Sequence, residues 1–139
     1  MFAQRIVSKM MENDRFSEWL GIEIEEVKEG YCRLSMTVRE EMLNGFGIAH
    51  GGIAFSLADS ALAFASNSRN QKSLVLDASM TFTAPVNNGT VLTAEAVEAN
   101  VTRSTGIYHI TVTDSNGKKV AFFKGIVFRK SDNWFSEAE

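Results

Sequence analysis

The chain has 139 residues, the length of one domain, and its 45% hydrophobic and 22% charged residues are typical of a globular protein. One cysteine and two histidines exclude an internal disulfide and a cysteine-based zinc site, and they leave little for a histidine metal site. The net charge of -3 argues against nucleic-acid binding, which normally needs a basic face. We therefore expect a single domain over residues 1–139, with no metal and no nucleic-acid partner.

The N-terminal region gives no sign of a targeting segment. Charges interrupt its apolar residues every few positions, and Glu12 and Asp14 are unusual in a transit peptide. The longest apolar-rich stretch, residues 51–65, contains Asp59 and is shorter than the roughly 20 residues that span a membrane. We expect a cytoplasmic protein that does not bind membranes.

The spacing of apolar residues predicts two helices and six strands. Apolar residues four positions apart indicate a helix, whereas strict alternation between turn residues indicates antiparallel strands. In chain order, the prediction is a helix over 2–17, strands over 22–28 and 31–38, a helix over 52–68, a strand from 74 to the Ala84-Pro85 pair, strands over 90–100, 104–113 and 119–129, and a flexible tail over 131–139.

Two of these strands carry predictions about single side chains. Cys32 alternates with polar residues on the second strand, which predicts a core thiol rather than a nucleophile. On the third strand, one face is predicted to hold Leu74, Leu76, Ala78, Met80 and Phe82.

The helix over residues 52–68 is the centre of the predicted fold. It is apolar on nearly every side, which is typical of a helix buried in a core. Several predicted strands run about ten residues, longer than the usual five or six, so they can curl around it. A long central helix wrapped by a curved antiparallel sheet, with a short N-terminal helix, is an α+β hotdog fold. Such wrapping leaves open sheet edges, which favours pairing of two chains.

The run from Asn44 to Gly52 is rich in glycine and leads directly into this helix. Glycines let the backbone approach a ligand closely, and the first amides of a helix stabilise an anion. The run is equally compatible with a glycine-rich turn that binds nothing.

Asp59 lies within the apolar helix, where an unpaired carboxylate is costly unless it faces a cavity or a partner. It is a candidate catalytic group in the wall of an active site. The alternative is a solvated position on a polar strip with Ser56, Ser60, Ser66 and Asn67.

Helix geometry limits how Asp59 and the glycine run can cooperate. Asp59 follows Gly51 by eight residues, which separates them by about 12 Å along one helix. A carbonyl under attack must lie about 3 Å from its oxyanion donors and equally close to the base or its water. If both groups are catalytic, the aspartate of one chain must face the glycine amides of another.

The motif Asn44…His50-Gly51-Gly52…Asp59 resembles the hotdog-fold acyl-CoA thioesterases of the phenylacetate-degradation type, and the similarity covers roughly residues 15–130. The resemblance implies hydrolysis of an acyl- or aryl-acyl-CoA to the free acid and CoA without a cofactor, because coenzyme A is part of the substrate. It also implies a homodimer as the minimum active unit, and we expect a homotetramer. Phe64 stands where the related hydratases carry a histidine, which argues against hydratase activity.

The resemblance also assigns roles to four residues of the motif. Asp59 would act as general base or nucleophile, and the Gly51 amide would stabilise the oxyanion. His50 would position the loop, and Asn44 would orient the water or the substrate.

For substrate and CoA binding, the matching positions are Gly52, Pro85, Asn87, Arg103, Ser104, Thr105 and Lys130. Arg103 and Lys130 can pair with phosphates. Taken singly, each is equally compatible with a polar residue on the surface of a hairpin connection. Some relatives carry a hydroxyl residue where this chain has Val75.

A non-hydrolytic acyl-CoA sensor or carrier is the alternative function. A pure binder has no need of a base, so the combination of Asn44, His50 and Asp59 favours the enzyme. A structural dimer with a vestigial site is a third interpretation.

Overall fold

A computed structural model describes residues 2–136, which form three α-helices and six strands. The helices are α1 (Phe2–Met11), α2 (Arg15–Leu20) and α3 (Gly51–Asn67), and a short 3-10 turn spans Glu40–Met42. The strands are β1 (Glu23–Lys28), β2 (Tyr31–Thr37), β3 (Gln71–Phe82), β4 (Val91–Val101), β5 (Thr105–Thr113) and β6 (Lys119–Asn133).

The six strands form one antiparallel sheet in the order β1-β2-β4-β5-β6-β3, and α3 packs against all six. The side chains of α3 that contact the sheet include Leu57, Ala58, Ala61 and Leu62, which are fully buried. Gly125 of β6 lies directly under Leu62, and a Cβ there would collide with the leucine side chain, so the glycine allows close packing of helix on sheet. The predicted α+β hotdog fold is confirmed.

The predicted N-terminal helix over residues 2–17 is divided into two. α1 ends at Met11, and α2 begins after Asp14, whose carboxylate caps it by accepting a hydrogen bond from the Ser17 amide (3.0 Å). α2 ends at Gly21, which has a left-handed backbone (φ +76°) that favours glycine. The predicted helix ran through residues 12–15, four polar residues that interrupt the apolar pattern between Met11 and Phe16.

The prediction of a flexible tail from Ser131 is wrong for the described part of that segment. β6 continues to Asn133, four residues beyond the predicted end. The Trp134 ring nitrogen donates to the Asn67 side chain (2.8 Å), and the Phe135 amide donates to the Asn70 side chain (2.9 Å). These contacts tie the segment to the end of α3. Residues 137–139 of the predicted tail lie outside the described residues.

β3 forms one edge of the sheet and does not keep a single apolar face. A register shift between Val75 and Asp77 breaks the alternation, so the prediction that all five apolar residues share a face is wrong. Ala78 and Met80 pack against the core, whereas Leu74 and Leu76 are 62% and 61% exposed. β3 therefore presents a long, apolar and unpaired edge.

Cys32 is fully buried on β2, and burial raises the pKa of its thiol to about 12. The prediction of an inert core thiol is confirmed. No helix within residues 2–136 is long and apolar enough to cross a membrane.

Candidate active site

The glycine-rich run folds into a tight loop that enters α3. The Asn44 amide donates to the Ile48 carbonyl (2.8 Å), and the Asn44 side-chain oxygen accepts from the Phe46 amide (2.9 Å). Gly47 has a left-handed backbone (φ +79°), which this turn requires and which disfavours other residues. The loop is thus held by its own backbone and by Asn44 before any ligand binds.

His50 is the N-cap of α3. Its Nδ1 accepts a hydrogen bond from the Gly52 amide (3.3 Å), so the proton of a neutral ring is assigned to Nε2. The Gly51 amide has no acceptor among the described residues, as expected for the first amide of a helix. Because Gly52 is engaged by His50, Gly51 supplies the open amide at the helix start.

A cavity of about 440 Å³ lies beside this helix start. Its wall includes Asn44, Ile48, His50, Gly51, Phe82 and Pro85. A Cβ at Gly51 would lie 3.2 Å from the tip of the Phe82 ring, so a larger residue at Gly51 would crowd the cavity. The sequence did not indicate Ile48 or Phe82 as cavity residues, since both read as ordinary apolar positions.

Asp59 is half-buried on α3 and does not line this cavity. Its carboxylate has no hydrogen-bond or ion-pair partner among residues 2–136. Burial raises the pKa of Asp59, and the negative charge of Asp14 raises it further. One chain therefore holds the open Gly51 amide and the unpaired carboxylate on the same helix without bringing them together.

The alternative of a solvated polar strip around Asp59 is wrong for three of its four members. The hydroxyls of Ser60 and Ser17 lie 2.8 Å apart, and both residues are buried. Ser66 and Asn67 are also buried, and the Asn67 side chain bonds the backbone of Ser73 in both directions (3.2 and 2.9 Å). Asp59 is thus not one of several solvated polar groups.

The residues predicted to bind CoA fall into two groups. Pro85 lines the cavity, and the exposed Asn87 follows it in the turn before β4. Gly52, at the start of α3, is exposed beside His50.

The second group lies at the other end of the sheet, where β5 begins and β6 ends. It contains Arg103, Ser104, Thr105 and Lys130. The Arg129 amide donates to the Ser104 carbonyl (2.8 Å), which joins β6 to this group. The Lys130 ammonium lies 3.7 Å from the Asp132 carboxylate. A single chain does not bring this group to the cavity, which lies where β3 ends and β6 begins.

Among the described residues, no three or more His, Cys, Asp or Glu side chains are grouped so that they could hold a metal ion. The absence of a cofactor stays a prediction.

The fold and the helix-start cavity define a class of protein. Residues 46–121 match the family model of the thioesterase superfamily. The chain belongs to this superfamily, and it is a thioester hydrolase.

Comparison with individual proteins narrows the class. The acyl-coenzyme A thioesterase PaaI of Escherichia coli is 40% identical over 116 residues, which cover 84% of this chain and 83% of that protein. The structure of PaaI from the phenylacetic acid degradation operon of E. coli matches with a TM-score of 0.92 at 37% identity, covering 94% of this chain and 95% of that one. A mutant of the phenylacetic acid degradation protein PaaI from Thermus thermophilus matches with a TM-score of 0.81 at 40% identity, covering 84% and 99% of the two chains. The resemblance to thioesterases of the phenylacetate-degradation type is confirmed.

Proposed function

We propose that the protein is an acyl-CoA thioesterase that hydrolyses an acyl- or aryl-acyl-CoA to the free acid and CoA at a site shared by two chains. The observation that carries this proposal is that one helix holds both an open Gly51 amide and an Asp59 carboxylate without a partner among the described residues. Their separation of about 12 Å requires that each group act with its counterpart from a second chain.

The edge of β3 offers a way to bring the two groups together. Two copies of this edge can pair antiparallel about a two-fold axis, which would cover Leu74, Val75 and Leu76 and continue the sheet across the dimer. Such pairing sets the Phe82 end of one strand beside the Gln71 end of the other. The cavity of one chain, at the Phe82 end of β3, would then lie beside the partner's β3 and the central helix that packs on it.

The chemistry follows from the two groups in this arrangement. The ionised Asp59 carboxylate would take a proton from water as the water attacks the thioester carbonyl, or would itself attack that carbon. The Gly51 amide and the N-terminus of α3 would stabilise the oxyanion that forms. Collapse of the tetrahedral intermediate breaks the carbon–sulfur bond, and the CoA thiolate leaves and takes up a proton. Direct attack by Asp59 would add an anhydride intermediate, which water then hydrolyses to the free acid.

His50 and Asn44 would support this chemistry from the loop. The His50 ring holds the Gly52 amide and thereby leaves the Gly51 amide open. The Asn44 side-chain oxygen is engaged in the loop, whereas its amide nitrogen has no acceptor among the described residues and could donate to the water or the substrate.

CoA would bind between the two groups of predicted contact residues, one contributed by each chain. The antiparallel pairing would bring Arg103, Ser104, Thr105 and Lys130 of one chain towards Pro85, Asn87 and Gly52 of the other. The two cationic side chains would pair with CoA phosphates, and the hydroxyls would donate to them.

A thiol-release assay across a panel of aromatic and aliphatic acyl-CoA esters tests the proposal. We expect Asp59→Asn to lower kcat at least about 100-fold with little change in binding, because the amide cannot act as base or nucleophile. Asp114→Asn is the matched control, since the Asp114 oxygen that accepts from two backbone amides can be replaced by the amide oxygen of asparagine. Near-normal turnover by Asp59→Asn would contradict the mechanism. Tight binding without thiol release from any ester would favour the sensor or carrier.

A further inference from the structure

The short helix α2 is joined to α3 at the residue that follows Asp59. One Asp14 oxygen caps α2 by accepting from the Ser17 amide, and the other accepts from the Ser17 hydroxyl (2.7 Å). The Ser17 hydroxyl oxygen lies 2.8 Å from that of Ser60. Because the single Ser17 proton goes to Asp14, Ser60 must donate to Ser17. The two hydroxyls therefore direct their protons towards Asp14.

This link is shielded from water. Ser17 is 1% exposed and Ser60 is 8% exposed, so the two hydroxyls have no competing solvent partner. Asp14 is half-buried at one end of this link, and the half-buried Asp59 directly precedes Ser60, the residue at its other end, on α3. A charge fixed in such a place acts on its neighbour more strongly than a mobile surface charge does.

Besides Asp14, the segment that forms α1 and α2, which both pack against α3, carries charges of both signs. α1 and the turn after it carry Arg5, Lys9 and Glu12, and α2 carries Arg15 and Glu18. Among the described residues, Asp14 is the one charged group that shifts the pKa of Asp59, and it acts in the same direction as burial.

We propose that Asp14 is a positioning residue for Asp59 and that the Ser17–Ser60 hydroxyl pair holds its negative charge beside the Asp59 carboxylate, so that the two acids act as a coupled pair. This inference rests on the proposed function of Asp59. Its consequence is that Asp59 keeps its proton to a higher pH than an isolated aspartate, and that it is a stronger base once ionised. α2 is then part of the catalytic apparatus without touching the substrate.

The dependence of kcat on pH tests the charge of Asp14. We expect Asp14→Asn to move the acidic limb of the profile to lower pH, because a neutral side chain no longer opposes ionisation of Asp59. Asparagine keeps an oxygen that can accept from the Ser17 amide, so the cap of α2 is retained. Glu18→Gln removes one negative charge from the same helix and should leave the limb in place. An acidic limb that Asp14→Asn does not move would overturn the inference.

A double-mutant cycle tests the hydroxyl link. Ser60→Ala leaves the Asp14 charge in the chain but removes the group that ties α2 to α3, so we expect a shift in the same direction. The double variant Asp14→Asn/Ser60→Ala should show no further shift beyond that of Asp14→Asn alone. Additive shifts would overturn the role of the link.

A carboxyl ¹³C NMR titration of the full chain separates this inference from the proposed function. The Asp59 signal is assigned by its loss in Asp59→Asn, and we expect it to titrate at lower pH in Asp14→Asn than in the unaltered protein. If this shift is seen but no thioester is hydrolysed, the coupling stands and the proposed function fails. If hydrolysis is seen and the Asp59 titration does not move, the coupling fails and the proposed function stands.

Discussion

The two ends of the proposed catalytic arrangement lie on one helix but are built by different means. At the start of α3, backbone hydrogen bonds, a left-handed glycine and the His50 cap fix the Gly51 amide beside a cavity. In the middle of α3, Asp59 is set apart by what it lacks, since no described side chain bonds its carboxylate and burial opposes its ionisation. The first region is formed within one chain. The second holds a carboxylate without a partner among the described residues, and under the proposal a second chain supplies the groups that act with it.

The largest effect is expected from separating the two chains at β3. Leu76→Glu puts a charge on the exposed apolar edge and should give a monomer, because two glutamates would meet near the two-fold axis. We expect kcat per chain to fall at least about 100-fold, as for loss of the base itself. Sedimentation and thiol release measured on the same sample test this. The matched control is Ile24→Glu, at the exposed edge strand β1 on the opposite side of the sheet, which should leave assembly and turnover unchanged. A fully active Leu76→Glu monomer would contradict the shared site.

A smaller loss is expected from crowding the helix start. Gly51→Val would press against the Phe82 ring and shift the amide, so we expect kcat to fall roughly 10- to 100-fold. The matched control is Gly52→Ala, whose added Cβ would meet only the His50 ring at 3.6 Å. Steady-state kinetics should rank the two variants in that order. An equal fall in kcat for Gly51→Val and Gly52→Ala would contradict the role of the Gly51 amide as the oxyanion donor.

The smallest effect concerns stability around Asp59. Since the pKa of Asp59 is raised in the folded chain, its stabilising contribution is fully present below its unfolded pKa, and it is lost as pH rises through the folded value. Asp59→Asn should therefore have a higher Tm than the unaltered protein at pH 7, and the difference should shrink at acidic pH. Thermal unfolding at several pH values measures this. A lower Tm for Asp59→Asn at pH 7 would show that the carboxylate is stabilised rather than strained.

Much of the fold could be predicted because its main signals are periodic. A helix that is apolar all round and strands of about ten residues leave few arrangements, and the hotdog fold is one of them. Asp14 shows where this reasoning failed. Asp14 lies three residues before Ser17, which is the spacing of a helix cap, and it falls within four polar residues (12–15) that interrupt the apolar pattern. The prediction of one helix over 2–17 overlooked both signals.

β3 and the end of β6 show a second limit. A bulge between Val75 and Asp77 changes which side chains face the core, and alternation of residue types cannot reveal a single inserted residue. The contacts of Trp134 and Phe135 depend on Asn67 and Asn70, more than 60 residues earlier in the chain. Such long-range pairs leave no local pattern in the sequence.

Part of the candidate site was predictable from helix geometry. The spacing of Gly51 and Asp59 on one helix predicts that, if both groups are catalytic, they come from two chains, because helix rise is fixed. Which amide is open was not predictable, since that depends on the His50 ring engaging Gly52. Ile48 and Phe82 reach the cavity only through the loop and the end of β3.

Mixing two variants that are each impaired at one of the two groups tests the shared site most directly. Asp59→Asn chains and Gly51→Val chains are unfolded together and refolded at equal amounts, or coexpressed with different tags, and thiol release is measured. If each site takes Asp59 from one chain and Gly51 from the other, half of the dimers are mixed and each mixed dimer has one intact site, so about a quarter of the unaltered activity should return. If both groups act within one chain, no mixed dimer has an intact site. Activity no higher than the average of the two separate variants would contradict the account.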